Sequence, residues 1–298
     1  MAITEYEKII KKVQKQRIQI TNKQRIEIAN IFADVADDFE AQIRRGNIYS
    51  YRVADIDAYA KYLKKQSRYI FKDVNATVIA GITNISRAVT RGQIDFWSNI
   101  NEQLRDKIVD SLNGVPSNVV NEIVTGSLYK DRKGLDKSIW RAKRIYEHDI
   151  DYIVNRGITQ RKSALEIAYD LQKYVNPSAR KDFAWSKAYP NSSAVVDYNA
   201  QRLARTSCTH AYQLAFQRAT KDNPFVEAYQ WHSNGSRTCD LCAERDGHIY
   251  DKDNLPLDHP NGMCQVTAVI TKSYDEIADE IADYVNGGNN PGLSKWLG

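Results

Sequence analysis

Apolar residues recur every three or four positions through most of the chain, and the alternation expected of strands is confined to short stretches near the C-terminus. Ile28, Ile31, Phe32, Val35 and Phe39 fall at i, i+3, i+4, i+7 and i+11, the spacing of one buried helical face. No proline precedes Pro116, and the breaks at Gly46-Asn47, Arg91-Gly92 and Asn113-Gly114-Val115-Pro116 predict a division of the first half into helices. Residues 11 to 25 carry Lys11, Lys12, Lys15, Arg17, Lys23 and Arg25. They read as too polar for a core, which predicts an extended amphipathic or exposed helix, able to serve as an arm reaching a neighbour.

The middle continues in kind. Leu135 to Asn155 predicts a basic amphipathic helix, and Ser163 to Val175 predicts another, N-capped by Ser163 and ended by Asn176-Pro177. Residues 176 to 193 read as a loop, with Pro177, Pro190, Ser192 and Ser193 setting its course and Phe183, Trp185 and Tyr189 anchoring it on the core. A further helix is expected from Asn199 to Thr220, where the isolated Cys208 reads as packed rather than reactive. Strand character appears late, in Val226 to Trp231, in Ile249-Tyr250 and in the Val-, Thr- and Ile-rich run from Cys264 to Thr271. Ile277, Ile281 and Tyr284 share a face of a last helix, after which residues 286 to 292 read as a flexible linker. Trp296 and Leu297 then close the chain, as a frayed terminus or as a short anchor for another chain.

Composition narrows the class. With 298 residues the chain is long enough for two or three substructures, and 27% of it is charged. The mean hydropathy of −0.56 and the lack of any apolar run near 18 residues argue against a membrane span. Met1-Ala2-Ile3-Thr4-Glu5 has no signal-peptide core, so the protein is expected to stay where it is made. The net charge of +5 is modest, but it is unevenly spread. Residues 1 to 30 hold seven Lys or Arg against three acids, residues 130 to 147 hold another seven against three, and the tail from Tyr274 is acidic. Two basic patches suit weak, salt-sensitive phosphate contact without base reading.

The residues with the most chemistry lie near the C-terminus. Cys239 and Cys242 form a C-x2-C step, and His259 and Cys264 follow after sixteen and four intervening residues. Three thiols and an imidazole make one tetrahedral zinc set, two ligands from a tight knuckle in Ser236-Arg237-Thr238-Cys239-Asp240-Leu241-Cys242 and two from the loop His259-Pro260-Asn261-Gly262-Met263-Cys264. His232 and His248 compete for the fourth position. His259 is favoured because the turn after it returns Cys264 toward the metal, whereas His248 adjoins a strand-like run. The metal is expected to be structural, cross-linking a segment too short to bury its own core. The fold class expected is therefore mainly α, an elongated multi-helix N-terminal and middle region with a small C-terminal α+β zinc-knuckle-like segment. Its expected divisions are 1–115, 116–198, 199–273 and 274–298.

Arg237-Thr238-Cys239-x2-Cys242-x3-Asp246-Gly247-x-Ile249-Tyr250, followed by His259-Pro260-Asn261 and Cys264, resembles the C-terminal signature of phage head-morphogenesis proteins related to phage Mu protein F. Gly262 and Met263 stand where that family usually has Cys-Arg before its last cysteine. Upstream, Ala204-Arg205-Thr206-Ser207 and the helix through Tyr212 and Ala215 resemble the helix preceding the cysteine segment, with Ser207 where glutamate is common. The resemblance covers residues 199 to 271. It implies a minor capsid protein, not an enzyme, made in the host cytoplasm and resident in the virion inside the head. Its implied partners are the portal and the scaffold or major capsid protein, with weak nonspecific DNA contact and neither membrane nor small-molecule substrate.

The competing class is an HNH-like metal-dependent nuclease, because Asp258-His259 beside a C-x2-C pair looks like the start of such a unit. The unit also needs a His or Asn downstream on a helix, and after Asn261 there is no histidine while the next asparagines are Asn286, Asn289 and Asn290. H-E-x-x-H, G-x-S-x-G and the phosphate-cradling G-x-x-x-x-G-K-[ST] are all missing.

Overall fold

The computed structural model describes residues 2–45, 53–178, 184–192, 196–235 and 238–298. Phe183, Ser193, Ser236, Arg237 and the break expected at Gly46-Asn47 lie outside the described residues. The protein is mainly helical with one small antiparallel sheet near the C-terminus. In order come α1 (Ala2–Arg45), α2 (Val53–Ile100), a 3-10 turn (Glu102–Leu104), α3 (Arg105–Leu112), α4 (Val115–Thr125), α5 (Leu135–Thr159), α6 (Ala164–Val175), α7 (Trp185–Ala188) and α8 (Tyr198–Thr220). Then follow β1 (Ala228–His232), α9 (Asp240–Arg245), β2 (Ile249–Asp251), β3 (Gln265–Val269), α10 (Tyr274–Val285) and α11 (Pro291–Leu297). Two compact units interleave along the chain. The first takes Met1–Asn22, Ile79–Lys130 and Arg205–Gly298, the second Lys23–Val78 and Asp131–Ala204.

In the second unit the predicted face of α1 is filled by aromatics. Phe32 meets Phe71 and Tyr146 edge-on, with ring centroids 6.1 and 6.3 Å apart, and Tyr146 continues to Tyr174 and then Trp185. Ser163 caps α6 as its hydroxyl accepts from the Glu166 N–H, while the Glu166 carboxylate accepts from the Ser163 N–H. Trp185 and Tyr189 are buried, so the loop is anchored as expected, with α7 inserted in it.

The first unit corrects three expectations. The polar run over residues 11 to 25 is not an exposed arm. Ile10, Val13, Gln14, Arg17 and Thr21, at i, i+3, i+4, i+7 and i+11, are buried, and Lys11, Lys12 and Lys15 lie exposed between them. The stripe is helical in period but half polar, so hydropathy hides it. The break at Arg91-Gly92 does not occur either, because α2 runs through it to Ile100. A Cβ on Gly92 would stand 2.9 Å from Val13 Cγ2, so this glycine serves close packing of two helices, which offsets its cost of about 1 kcal/mol in a helix interior. Beside it, Tyr6 packs edge-on against Phe96 at 4.7 Å and its hydroxyl donates to Gln93 at 3.3 Å.

The third correction concerns the tail. The stretch expected to be a linker is a turn, in which the Gly288 N–H donates to Asp283 C=O at 2.9 Å and the Asn290 side chain caps α11. Leu293, Trp296 and Leu297 are buried, and Trp296 meets Trp97 edge-on at 5.4 Å. Its anchor is therefore its own chain. The helix α10 forms as predicted, with Ile277 and Ile281 inward and a Ser273–Glu276 capping box.

Candidate metal centre

The sheet has the order β2-β1-β3, with Tyr229 paired to Tyr250 on one side and to Ala268 on the other. Both connections leaving β1 and β2 carry the candidate ligands. Between β1 and β2 the chain turns through Gly235, whose φ of +71° favours glycine, and enters the six-residue helix α9 with Cys239 as its N-cap. Cys242 follows in its first turn, which brings two sulfurs to one side. Ser233 N–H donates to Asp246 Oδ1 at 2.6 Å and Gly247 N–H to Trp231 C=O at 2.9 Å, closing the excursion.

Between β2 and β3 lies the loop Asp258 to Cys264. Asn261 takes a φ of +70°, a conformation that asparagine tolerates better than most residues, and Gly262 N–H donates back to His259 C=O at 2.9 Å. The loop wraps around the Asp258 carboxylate, which is fully buried. Oδ1 accepts from His259 N–H at 2.8 Å and Oδ2 from Cys264 N–H at 2.9 Å. A Cβ on Gly262 would overlap that carboxyl group. Glycine here makes room for the carboxylate that shapes the turn.

Ligand atoms gather in two overlapping groups. Cys239, Cys242 and His259 form one, Cys242, Asp258 and Cys264 the other, and within each all donors lie within 4.8 Å of one another. Cys242 belongs to both, so Cys264 joins the cluster through Cys242 and Asp258. This cluster can hold a metal ion. All four ligands read from the spacing lie in it, and Asp258 is added. His232 instead bonds Thr267 Oγ1 at 2.8 Å, and His248 is exposed and outside both groups.

The donor chemistry fits a metal. His259 Nδ1 donates to Pro260 C=O at 3.0 Å, which leaves the Nε2 lone pair directed at Cys239 Sγ, 3.2 Å away. Two ligands about 2.1 and 2.3 Å from a tetrahedral zinc stand about 3.5 Å apart, so this pair needs only a small adjustment. Cys239 is exposed and its thiol is held below the usual range, first by the Cys242 N–H and then by the Cys242 thiol and His259. Burial pushes Cys242 and Cys264 up. His259 is raised, first by its bond to the Pro260 carbonyl, then by Asp258 and Cys239. A cation entering at the open Cys239 edge would find one thiol already inclined to ionise.

The supporting shell is where sequence reasoning fell short. Thr206, Thr209, His210 and Gln213, at i, i+3, i+4 and i+7 on α8, all engage the loop. Thr206 Oγ1 accepts from Asn261 N–H at 2.8 Å and Thr209 Oγ1 donates to Gly262 C=O at 2.8 Å. His210 Nε2 donates to Asp258 C=O at 2.9 Å, and Gln213 Oε1 accepts from Asp258 N–H at 2.9 Å. A carbonyl only accepts, so the His210 proton is on Nε2 and Nδ1 accepts from Tyr129 O–H at 3.0 Å. Burial keeps the His210 pKa below the ordinary histidine value. From α1, Arg17 donates to Met263 C=O and Cys264 C=O, both at 2.9 Å, with its guanidinium 5.0 Å from the Tyr212 ring centre. The polar stripe on α8 was visible as a helical repeat in the sequence. Arg17 was read only as part of a polar run and Asp258 only as half of a nuclease-like Asp-His pair, and nothing local marked either as a support of the loop. Cys208, by contrast, is buried as read, with burial pushing its thiol up to about 12.

Compared with protein-family models, with curated proteins and with solved structures, the chain gives no match.

Proposed function

We propose that this protein is a minor capsid protein of the head-morphogenesis type related to phage Mu protein F, with one structural zinc in its Cys/His segment. One observation carries the reading. The two stretches that resemble that family, the helix around Thr206 and the cysteine segment, are far apart in the chain yet meet through four hydrogen bonds on the 258–262 loop. They behave as one structural unit, as a shared signature would require. Cys239, Cys242, His259 and Cys264 would hold the ion, and Asp258 would set the turn between the last two ligands rather than serve as a ligand, because both its oxygens already take backbone N–H groups.

Zinc there would cross-link the β1–β2 connection to the β2–β3 connection and leave no open position for chemistry. The nuclease reading is not favoured, since both His259 nitrogens are engaged, by Pro260 C=O and by Cys239 Sγ, and neither is free to act as a general base. The role proposed is structural, inside the head near the portal, with portal and scaffold or major capsid protein as partners and DNA as a weak contact. Two measurements test it. Protein purified without chelator should contain one zinc per chain, and the chain should be captured by a portal assembly in salt that strips DNA from it. A chain free of metal and recovered apart from capsid particles after phage induction would defeat the proposal.

A further inference from the structure

The two basic patches are not equivalent once side chains are placed. On α1, Lys8, Lys11 and Lys23 pair with Glu5, Glu7 and Glu27, and Arg17 is buried. Lys12, Lys15 and Arg25 remain exposed there without an ion pair among the described residues, but no aromatic residue lies between Tyr6 and Phe32 to stand beside them. On α5, Lys143 pairs with Glu147, and just before the helix Lys133 pairs with Asp131. Among the described residues, Lys137, Arg141 and Arg144 lie within ion-pair distance of no carboxylate. With His148 they fall at i, i+4, i+7 and i+11, one exposed line of α5 that rises about 16 Å at 1.5 Å per residue.

Alongside that line stands Trp140, 61% exposed, with the Arg144 guanidinium 5.3 Å from its ring centre. The other four tryptophans of this chain are buried, so Trp140 alone offers an indole face to a ligand. Arg141, Arg144 and His148 also line an open hollow of about 570 Å³ with Pro190, Asn191 and Ser192, and the buried Asp149, its Oδ1 3.8 Å from His148 Nδ1, is the one acid in its lining. A cationic line that tracks a phosphate backbone, beside an aromatic face on which bases stack, is how proteins hold single-stranded nucleic acid without reading sequence. An acidic protein surface would match the charge but would leave the Trp140 face unused.

We infer that the α5 face bearing Lys137, Trp140, Arg141, Arg144 and His148 is a binding surface for single-stranded nucleic acid, with phosphates along the cations and a base on Trp140. Within the proposed head protein it names the site of DNA contact and rests on that reading only for its setting. Zinc content and portal capture are independent of it, so either can fail alone.

The test uses the full chain, fluorescein-labelled oligo(dT) and a labelled mixed-sequence duplex, followed by anisotropy and by tryptophan emission. Oligo(dT) should bind more tightly than duplex, quench the emission, and dissociate as salt rises from about 50 to about 200 mM. Arg141→Gln with Arg144→Gln should weaken binding about tenfold or more, as two phosphate contacts are lost, while Lys12→Gln with Lys15→Gln on α1 should change it less than about twofold. Trp140→Phe should abolish the quenching, because the other tryptophans are inside. These sites are exposed, so circular dichroism should be unchanged in every variant. Equal loss from both double variants, or from neither, overturns the assignment to α5. Duplex binding as tight as oligo(dT) without quenching overturns the stacking. Competition by polyglutamate as strong as by DNA overturns the choice of nucleic acid.

Discussion

Asp258→Asn is the sharpest probe of how the metal loop is built. The carboxylate accepts His259 N–H on one oxygen at 2.8 Å and Cys264 N–H on the other at 2.9 Å, with no exposure of its side chain. Asparagine has nearly the same shape, so packing is kept, and the amide still offers one acceptor. Its NH2 group, however, must face one of the two N–H donors. A buried donor left unpaired costs about 1–3 kcal/mol, and the remaining bond weakens on losing its charge by about 1 kcal/mol. The sum, about 3 kcal/mol, is a large share of the roughly 5–15 kcal/mol that stabilises a domain. At about 2–4 °C per kcal/mol the thermal midpoint should fall by about 6–12 °C. Scanning calorimetry of both proteins, with zinc content measured on the same samples, reads this directly. A midpoint within about 1 °C of wild type would refute the view that Asp258 organises the turn.

Other outcomes follow from the same structure. Removing metal with a chelator, or substituting Cys242→Ser, should open residues 226–271 to proteolysis while most of the far-ultraviolet helix signal survives; uniform cleavage along the chain would count against a local staple. His210 is held neutral by burial with its pKa below 6.5, so the unfolded state binds more protons on acidification. Stability is therefore complete above about pH 6.5 and declines below it, and His210→Gln should flatten that decline between urea midpoints taken at about pH 7.5 and about pH 5.5. Gly92→Leu, which drives a side chain into Val13 and Ile9, should cost at least about 1–3 kcal/mol in urea unfolding despite its better helix propensity. Trp296→Ala should cost about 3–5 kcal/mol if the terminal helix packs on Trp97, and close to nothing if that end is frayed.

The sequence by itself determined what local physics controls. Helix periodicity located α5, α6, α8 and α10, side-chain capping placed the start of α6, and C-x2-C spacing with a sharply turning His-Pro-Asn-Gly loop picked out four residues of one cluster that can hold a metal ion. Each of these rests on residues close together in the chain. The tertiary structure decided the rest, because burial of a polar group depends on a distant partner. Arg17 reads as a surface cation until its guanidinium meets two carbonyls nearly 250 positions away. Gly92 reads as a helix stop until another helix needs the room. Asp258 reads as half of a nuclease-like Asp-His pair until two backbone N–H groups fold round it. Hydropathy ranks residues by their cost in isolation, and a buried hydrogen bond cancels much of that cost only when both ends are in place.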